Sequence, residues 1–236
     1  MLQTYFDRVV CINLRRRTDR WLAFQEQLEQ VDWPFRFVER FNGIDGRRVS
    51  PPLWFNIGDA GGTWGCLMSH LRVWEEALND DLDSVLIFED DAVLCDGFGD
   101  QVSQFLRHVP SNWDQLWIGG DHVPDSTPWR INEFVYRPEA AHRMHCYAMR
   151  RDFIRDAYRF VTSFNAPGRF TNDPDYHIDH QLWPMMRDER YGIYCPEKWL
   201  VGQRSDVSDI VNRCRHEATA FYNDVNPIAN GKVRQT

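Results

Sequence analysis

The sequence is poor in lysine and in basic charge overall. Of its 27 Lys and Arg residues only Lys198 and Lys232 are lysines, and the 35 acidic residues give a net charge of −8. A net negative charge does not attract polyanions, so we expect neither nucleic acid nor an anionic membrane as a binding partner. Arginine supplies forked, permanently charged phosphate contacts, although such a lopsided ratio also arises from genome composition.

The sequence also lacks paired cysteines and long apolar runs. Its six cysteines stand singly, with no Cys-x-x-Cys pair that would indicate zinc or a redox couple. No apolar run approaches the roughly 20 residues of a membrane span, and the first residues lack the apolar core of a secretion signal. We therefore expect a protein of the reducing cytoplasm without a transmembrane segment.

What is present is a globular α/β pattern over 236 residues, 43% of them hydrophobic, with ten tryptophans. Thr18 is predicted to cap a first helix, because apolar residues follow it at helical spacing. A second helical pattern covers 67–78 and includes Trp74, which is expected in the core. Strand-like runs cover 8–14, 35–41, 84–88, 115–118 and 198–201, and further helical patterns cover 102–109 and 153–161. This alternation predicts one α/β domain, Rossmann-like, with a mainly parallel sheet and helices on both faces.

The most informative segment is an apolar run, 85–88, that ends in Glu89, Asp90 and Asp91. Ligands of open α/β sheets bind outside the carboxyl ends of the strands, so carboxylates there can hold a divalent cation. Oxygen ligands suit Mg²⁺ or Mn²⁺ better than zinc, and Glu89 and Asp91 project to the same side of an extended strand. The alternative is that the three acids cap a helix or solubilise a turn.

Acid-x-acid spacing alone does not select this segment. The sequence has other copies at Asp81-x-Asp83 and Asp173-x-Asp175. Asp81 and Asp83 precede the apolar run and would lie at its amino end, where acids more often solvate a loop. Position therefore favours the acids at 89–91.

Three separated blocks resemble the family-25 glycosyltransferases, which include bacterial lipooligosaccharide galactosyltransferases and collagen galactosyltransferase domains. The blocks are Val-Cys-Ile-Asn-Leu at 10–14 with Arg-Thr-Asp-Arg at 17–20, Gly-Cys-Leu-Met-Ser-His at 65–70 with Trp74, and Leu-Ile-Phe-Glu-Asp-Asp at 86–91. The likeness thins but continues through 146–149, 179–182, 201–203 and 208–210. One departure is Thr63, where the family often has an acid.

The resemblance implies a GT-A fold, a UDP-hexose donor, Mn²⁺ (or Mg²⁺) dependence and inverting transfer. It implies one domain, 1–236, with a nucleotide- and metal-binding half (1–120) and an acceptor-binding half (121–236). Asp91 is the first metal ligand, with Glu89 reaching the metal or the donor ribose and Asp90 shaping the turn. Gln203 stands where a late-loop metal ligand is expected.

Two carboxylates compete for the role of general base. Asp179 corresponds to the family's late acidic block and opens a predicted helix, whereas Asp121 follows a predicted strand and also lies at the carboxyl edge. The alternative for either residue is a helix cap.

The remaining candidates surround the donor. Asn13, Arg17 and Arg20 end the first strand, where GT-A domains receive the nucleotide, although Arg20 could simply pair with an acid. By resemblance Ser69 and His70 belong to the site wall; His70 could equally be a core histidine, and no Gly-x-Ser-x-Gly elbow makes Ser69 a nucleophile.

His177 and His180, three residues apart, give only a weak zinc signal without a third clear ligand.

The sequence thus predicts a metal-dependent inverting glycosyltransferase that transfers a hexose from a UDP-sugar to a hydroxyl of a glycan or hydroxylated protein. Galactose is the favoured hexose. One alternative is a non-catalytic sugar-nucleotide or glycan-binding module of the same fold, which Thr63 keeps open. The other is a metal-dependent phosphoesterase that uses the same acids to activate water.

Overall fold

The computed structural model describes residues 2–53, 55, 60–164, 177–205, 221, 228 and 233–235. Its strands are β1 (Arg8–Leu14), β2 (Glu39–Gly43), β3 (Ser84–Glu89), β4 (Ala92–Leu94), β5 (Gln115–His122), β6 (Trp129–Arg130), β7 (Val135–Arg137), β8 (Ala141–Arg150), β9 (Ile193–Pro196), β10 (Val201–Gln203) and β11 (Arg234–Gln235). Its helices are α1 (Thr18–Gln30), α2 (Ala60–Asn79), α3 (Phe98–His108), α4 (Arg151–Phe164), α5 (Ile178–Gln181) and α6 (Trp183–Arg187), with a 3₁₀ turn at Gly46–Arg48.

The first three strands form a parallel unit with β1 in the middle. β1 pairs with β2 on one side and with β3 on the other, while α1 and α2 make the connections. The chain therefore adds β2 on one side of β1 and then β3 on the other side. At such a reversal of strand order, α/β sheets open a crevice beyond the strand ends.

The rest of the main sheet is mixed. Among the described residues its order is β11-β6-β7-β9-β5-β8-β3-β1-β2, and β8 runs antiparallel to both of its neighbours, β3 and β5. β4 and β10 pair outside it as a short antiparallel ribbon. The α/β class is confirmed.

The helices cover both faces of the sheet, as predicted. β3 is buried on both sides: Val85 and Ile87 pack with α2 and α4, whereas Leu86 and Phe88 pack with α1 and α3. An apolar run without alternation is typical of such a strand. Trp74 is fully buried in the α2 face, so its assignment to the core is confirmed.

The structure changes several element boundaries. Thr18 is the first residue of α1 and not its cap; the capping position is Arg17, which makes no side-chain capping bond. β2 begins at Glu39 and β10 at Val201, later than the apolar runs suggested, since strand pairing begins at these residues. Residues 42–62, rich in Pro and Gly as loops often are, contain the 3₁₀ turn and the start of α2, and the similar stretch 165–174 lies outside the described residues.

Within the described part of the chain, no helix combines the length and apolar character needed to cross a bilayer.

Candidate functional site

A cavity of about 190 Å³ opens beyond the carboxyl ends of β1 and β3. Strand ends from the first half of the chain and six residues from the second half contribute to its wall. The polar side chains on it include Arg20, Glu89, Asp91, Arg143, Asp179 and Gln203.

The acidic turn is fixed by the small ribbon that follows it. β4 pairs with β10 so that Gln203 faces Ala92, and the backbone N–H of Arg204 donates to the Asp91 carbonyl at 2.7 Å. Gln203 Nε2 then donates to Asp91 Oδ2 at 3.0 Å. Two predicted metal ligands that stand 112 residues apart in the sequence are therefore adjacent in space.

Asp90 points inward and anchors the turn. Arg20 Nη1 donates to Asp90 Oδ1 at 2.8 Å, and Asn13 Nδ2 donates to Asp90 Oδ2 at 2.6 Å. Burial raises the pKa of Asp90, and Arg20 and Asn13 offset part of that rise. Burial also works against the charge of Arg20, but Asp90 and Asp91 outweigh it and raise the pKa of the guanidinium.

Two residues predicted to bind the nucleotide make contacts within the protein. Asn13 also donates to the carbonyl oxygen of Arg17 at 2.9 Å and accepts from Arg40 Nε at 2.8 Å. Arg17 pairs with Asp19 at 2.8 Å. Neither Asn13 nor Arg17 is part of the cavity wall, whereas Arg20 is.

Glu89 is held by a directed chain of hydrogen bonds from the core. Trp74 Nε1 donates to the hydroxyl of Tyr147 at 3.0 Å, and that hydroxyl lies 2.8 Å from His70 Nδ1. Burial raises the pKa of Tyr147 well above its ordinary value, so its hydroxyl keeps its proton and donates to His70. The other ring nitrogen, Nε2, is 3.1 Å from Glu89 Oε1, and this order of donors assigns its proton to Nε2.

Ser69 fixes the backbone beside this chain. Its hydroxyl donates to the Gly65 carbonyl at 2.6 Å and accepts from the Ile44 N–H at 2.8 Å. Ser69, His70 and Thr63, the position where the family often has an acid, all contribute to the cavity wall.

Arg143 connects the two candidate bases, and sequence reasoning missed it. Its backbone N–H donates to Asp179 Oδ2 at 2.6 Å, and its guanidinium lies 3.7 Å from Asp121 and donates to Gln203 Oε1 at 3.0 Å. Arg143 has a φ of 66°, a left-handed conformation that non-glycine residues rarely adopt and that is concentrated at functional sites. Asp179 contributes to the cavity wall and Asp121 does not.

The side-chain oxygens at this site are of the type that a hard divalent cation prefers. Glu89 and Asp91 offer carboxylate oxygens on the cavity wall, while Arg20 is 2.8 Å from Asp90 and 3.9 Å from Asp91, so one guanidinium faces two of the three acids. Oxygen donors with excess negative charge suit Mn²⁺ or Mg²⁺. Gln203 presents its N–H to Asp91 and its carbonyl to Arg143, so its amide would have to turn before its oxygen could become a ligand.

Sequence comparisons place these features in a known family. The family described as "Glycosyltransferase family 25 (LPS biosynthesis protein)" matches residues 6–164. A "Probable inactive glycosyltransferase 25 family member 3" of Bos taurus is 27% identical over 136 residues, which are 50% of this chain and 22% of that protein. "Procollagen galactosyltransferase 2" of Homo sapiens is 26% identical over 144 residues, 52% of this chain and 22% of that protein.

A solved structure with a similar course is a glycosyltransferase involved in the glycosylation of the major capsid of PBCV-1. It covers 80% of this chain and 81% of its own, with 12% identity and a TM-score of 0.46.

The chain spans about a fifth of the length of the bovine and human relatives. The family match nevertheless covers most of the chain, including all three blocks and the acidic turn. The chain therefore belongs to glycosyltransferase family 25.

Proposed function

We propose that the chain is a metal-dependent inverting glycosyltransferase of GT-A architecture that transfers a hexose, galactose in the first instance, from a UDP-sugar to an acceptor hydroxyl. The observation that carries this proposal is the joint presence of Glu89, Asp91 and Asp179 on the wall of one cavity. Family membership supports the reaction class.

The acidic turn is the proposed donor side. Glu89 and Asp91 would hold a divalent ion, which supplies positive charge to the diphosphate leaving group. Arg20 adds a permanent positive charge beside these acids. The hydrogen bond from His70 restricts Glu89 to one orientation, and Gln203 does the same for Asp91.

Asp179 is the proposed base. Arg143 N–H holds Asp179 Oδ2, which leaves Oδ1 to accept the acceptor's proton. As that proton moves to Asp179, the acceptor oxygen forms a bond to the anomeric carbon and the bond from this carbon to the UDP oxygen breaks on the opposite side. We favour Asp179 over Asp121 because Asp121 is outside the cavity wall.

The acceptor is proposed at the level of its chemistry, a hydroxyl on a glycan or on a hydroxylated protein. The family resemblance includes both classes, and the human relative is named a procollagen galactosyltransferase.

The test measures UDP release from UDP-galactose, UDP-glucose and other UDP-hexoses, with Mn²⁺ or EDTA, against glycan and hydroxylysine-peptide acceptors. We expect EDTA to abolish release and Asp91→Asn to weaken Mn²⁺ affinity by more than about tenfold. Asp179→Asn should lower kcat by about 10²- to 10⁴-fold with little change in Mn²⁺ affinity. The matched control is Asp83→Asn, which alters an acid of the same spacing at the amino end of β3.

Release that is unaffected by EDTA and by Asp91→Asn would overturn the metal assignment. The bovine relative is named a probable inactive family member, and this name favours one rival, a binding module. UDP-hexose binding without any release would establish that rival, and hydrolysis of model phosphodiesters in place of transfer would establish a phosphoesterase.

A further inference from the structure

Two imidazoles and a carboxylate gather beside the cavity, and the carboxylate lies on its wall. His142 lies near the start of β8, and Asp179 and His180 lie on α5. One ligand-type atom from each of the three lies within 4.8 Å of the other two. Helical spacing pointed only to His177 and His180; β8 brings the more suitable partner, His142, from 38 residues away.

The separation of the two rings is the central observation. His142 Nδ1 and His180 Nε2 are 2.5 Å apart, within hydrogen-bond distance, so one ring donates its proton to the lone pair of the other and the two nitrogens face each other. Asp179 Oδ2 is 3.9 Å from the same His180 nitrogen. Donors bound tetrahedrally at about 2.0 to 2.2 Å lie about 3.3 to 3.6 Å apart, so a bound ion would replace the shared proton, move the two nitrogens about 1 Å apart and draw Asp179 slightly closer.

The surroundings hold these groups in place. The indole of Trp183 stacks on His180 at 4.4 Å and meets His142 edge-on at 5.0 Å, while its N–H donates to the Ala141 carbonyl at 2.8 Å. The N–H of Arg143 holds Asp179 from behind. Outer contacts of this kind orient ligands around protein-bound metals.

We propose that His142, His180 and Asp179 form a second metal site, selective for Zn²⁺ and chemically similar ions. Two nitrogens and one carboxylate oxygen are a donor set typical of zinc, with a fourth position left for water. The donors at Glu89 and Asp91 are oxygens and suit Mn²⁺ or Mg²⁺ instead. The two proposed sites therefore select different ions, and Asp179 connects the second site to the cavity wall that carries Glu89 and Asp91.

Occupancy of this site has a consequence that rests on the proposed function. A carboxylate bound to Zn²⁺ has lost its basicity, so Asp179 cannot at the same time accept a proton from the acceptor. Zn²⁺ is therefore an inhibitor of transfer through Asp179, and it binds to ligands other than those of the donor metal.

The test uses the full chain, stripped of metal and dialysed against Zn²⁺ with metal content measured by mass spectrometry. We expect one Zn²⁺ per chain that excess Mn²⁺ does not displace. His142→Asn and His180→Asn should each weaken this binding at least tenfold, while the matched control His108→Asn, an exposed histidine on α3, should bind like wild type. Circular dichroism checks that each variant is folded.

A second measurement requires no variant. Co²⁺ in the wild-type chain should give the visible d–d bands of a nitrogen and oxygen site without a thiolate charge-transfer band. A thiolate band, or Zn²⁺ binding unchanged in both histidine variants, would overturn the proposal.

Two further readouts separate the site from the proposed function. Asp91→Asn should lose Mn²⁺ but keep Zn²⁺, and this result holds even if the chain transfers no sugar. In an active chain, Zn²⁺ should inhibit wild type, while His142→Asn should resist the same concentration relative to its own zinc-free rate. Zn²⁺ binding without inhibition would retain the site and reject Asp179 as the base.

Discussion

Arg20 and Asp90 form the buried ion pair on which the acidic turn rests. Arg20→Met would leave the Asp90 carboxylate buried without its main counter-charge, and we expect the free energy of unfolding to fall by about 3 to 5 kcal/mol. Urea unfolding measures the loss. The control is Arg17→Met, whose partner Asp19 is 64% exposed, and there we expect a change below about 1 kcal/mol. Equal losses in the two variants would contradict the role given to the inner pair.

His122 makes the stability of the protein depend on pH. Its ring is buried against Trp199, both ring nitrogens lack a hydrogen-bond partner within the described residues, and burial lowers its pKa from 6.5 to about 3. Below pH 6.5 the unfolded chain therefore binds a proton that the folded chain does not bind until about pH 3. Stability is lost as the pH falls through this window and is fully regained above it.

We expect His122 alone to lower the free energy of unfolding by about 2 kcal/mol when the pH falls from 7 to 5. His122→Phe should remove that part of the pH dependence, as measured by urea unfolding at the two pH values. His108→Phe, at an exposed position, should leave the dependence as it is. A wild-type slope that survives in His122→Phe would show that other groups cause it.

At this scale the sequence was informative where the chemistry is local. The acids at 89–91 follow directly from an apolar run, so their position at a strand end could be read from neighbouring residues. Arg143 could not be found this way, because its left-handed backbone and its contacts with Asp179 and Gln203 depend on distant strands. The same limit applies to Asn13, whose type suits a nucleotide contact but whose amide serves Asp90.

Between elements, Tyr147 is the link from α2 to β8. Tyr147→Phe removes the acceptor of Trp74 Nε1 and the donor to His70 in a fully buried place, so we expect a loss of about 1 to 3 kcal/mol in unfolding free energy. Because His70 then loses its orientation toward Glu89, Mn²⁺ affinity should also fall by about tenfold. Calorimetric titration with Mn²⁺ and urea unfolding measure the two effects.

The matched control is Tyr191→Phe, whose hydroxyl contacts Asp156 near the surface at 3.1 Å. We expect it to change stability by less than about 0.5 kcal/mol and Mn²⁺ affinity not at all. If Tyr147→Phe lowers stability but leaves Mn²⁺ affinity intact, the hydrogen-bond chain is structural only.

Elements with strong local signals were predicted and those defined by pairing were not. β1 and β3 are apolar runs with clear ends, and α2 carries helical spacing over its length. β8 was visible only as a family-like segment at 146–149, since nothing local indicates that a strand runs antiparallel between β3 and β5. The meeting of Gln203 with Asp91 depends on the β4–β10 ribbon, whose strands have three residues each.

For the molecule as a whole, the proposed donor site predicts coupling between ligand and stability. At a free concentration about 100 times Kd, a ligand that binds only the folded chain adds about 2.7 kcal/mol. For a chain of this size, UDP with Mn²⁺ should therefore raise Tm by roughly 5 to 10 °C. Thermal unfolding with UDP and EDTA is the control, and a shift of equal size in Asp91→Asn would place the nucleotide elsewhere.

The class of fold was within reach of the sequence because alternating strands and helices leave few arrangements. The order of strands beyond β3 was not, because it is decided by contacts between segments far apart in the chain, which one sequence does not encode in any local pattern.

The β4–β10 ribbon determines when the site can form during synthesis of the chain. Two strands more than a hundred residues apart pair slowly, because closing the loop between them costs entropy before any contact offsets that cost. At about 5 to 20 residues per second, a ribosome needs several seconds to deliver β10 after β4 has emerged. During that interval the nascent chain carries its acidic turn without the strand that orders it, so the site is completed only after β10 has been synthesised.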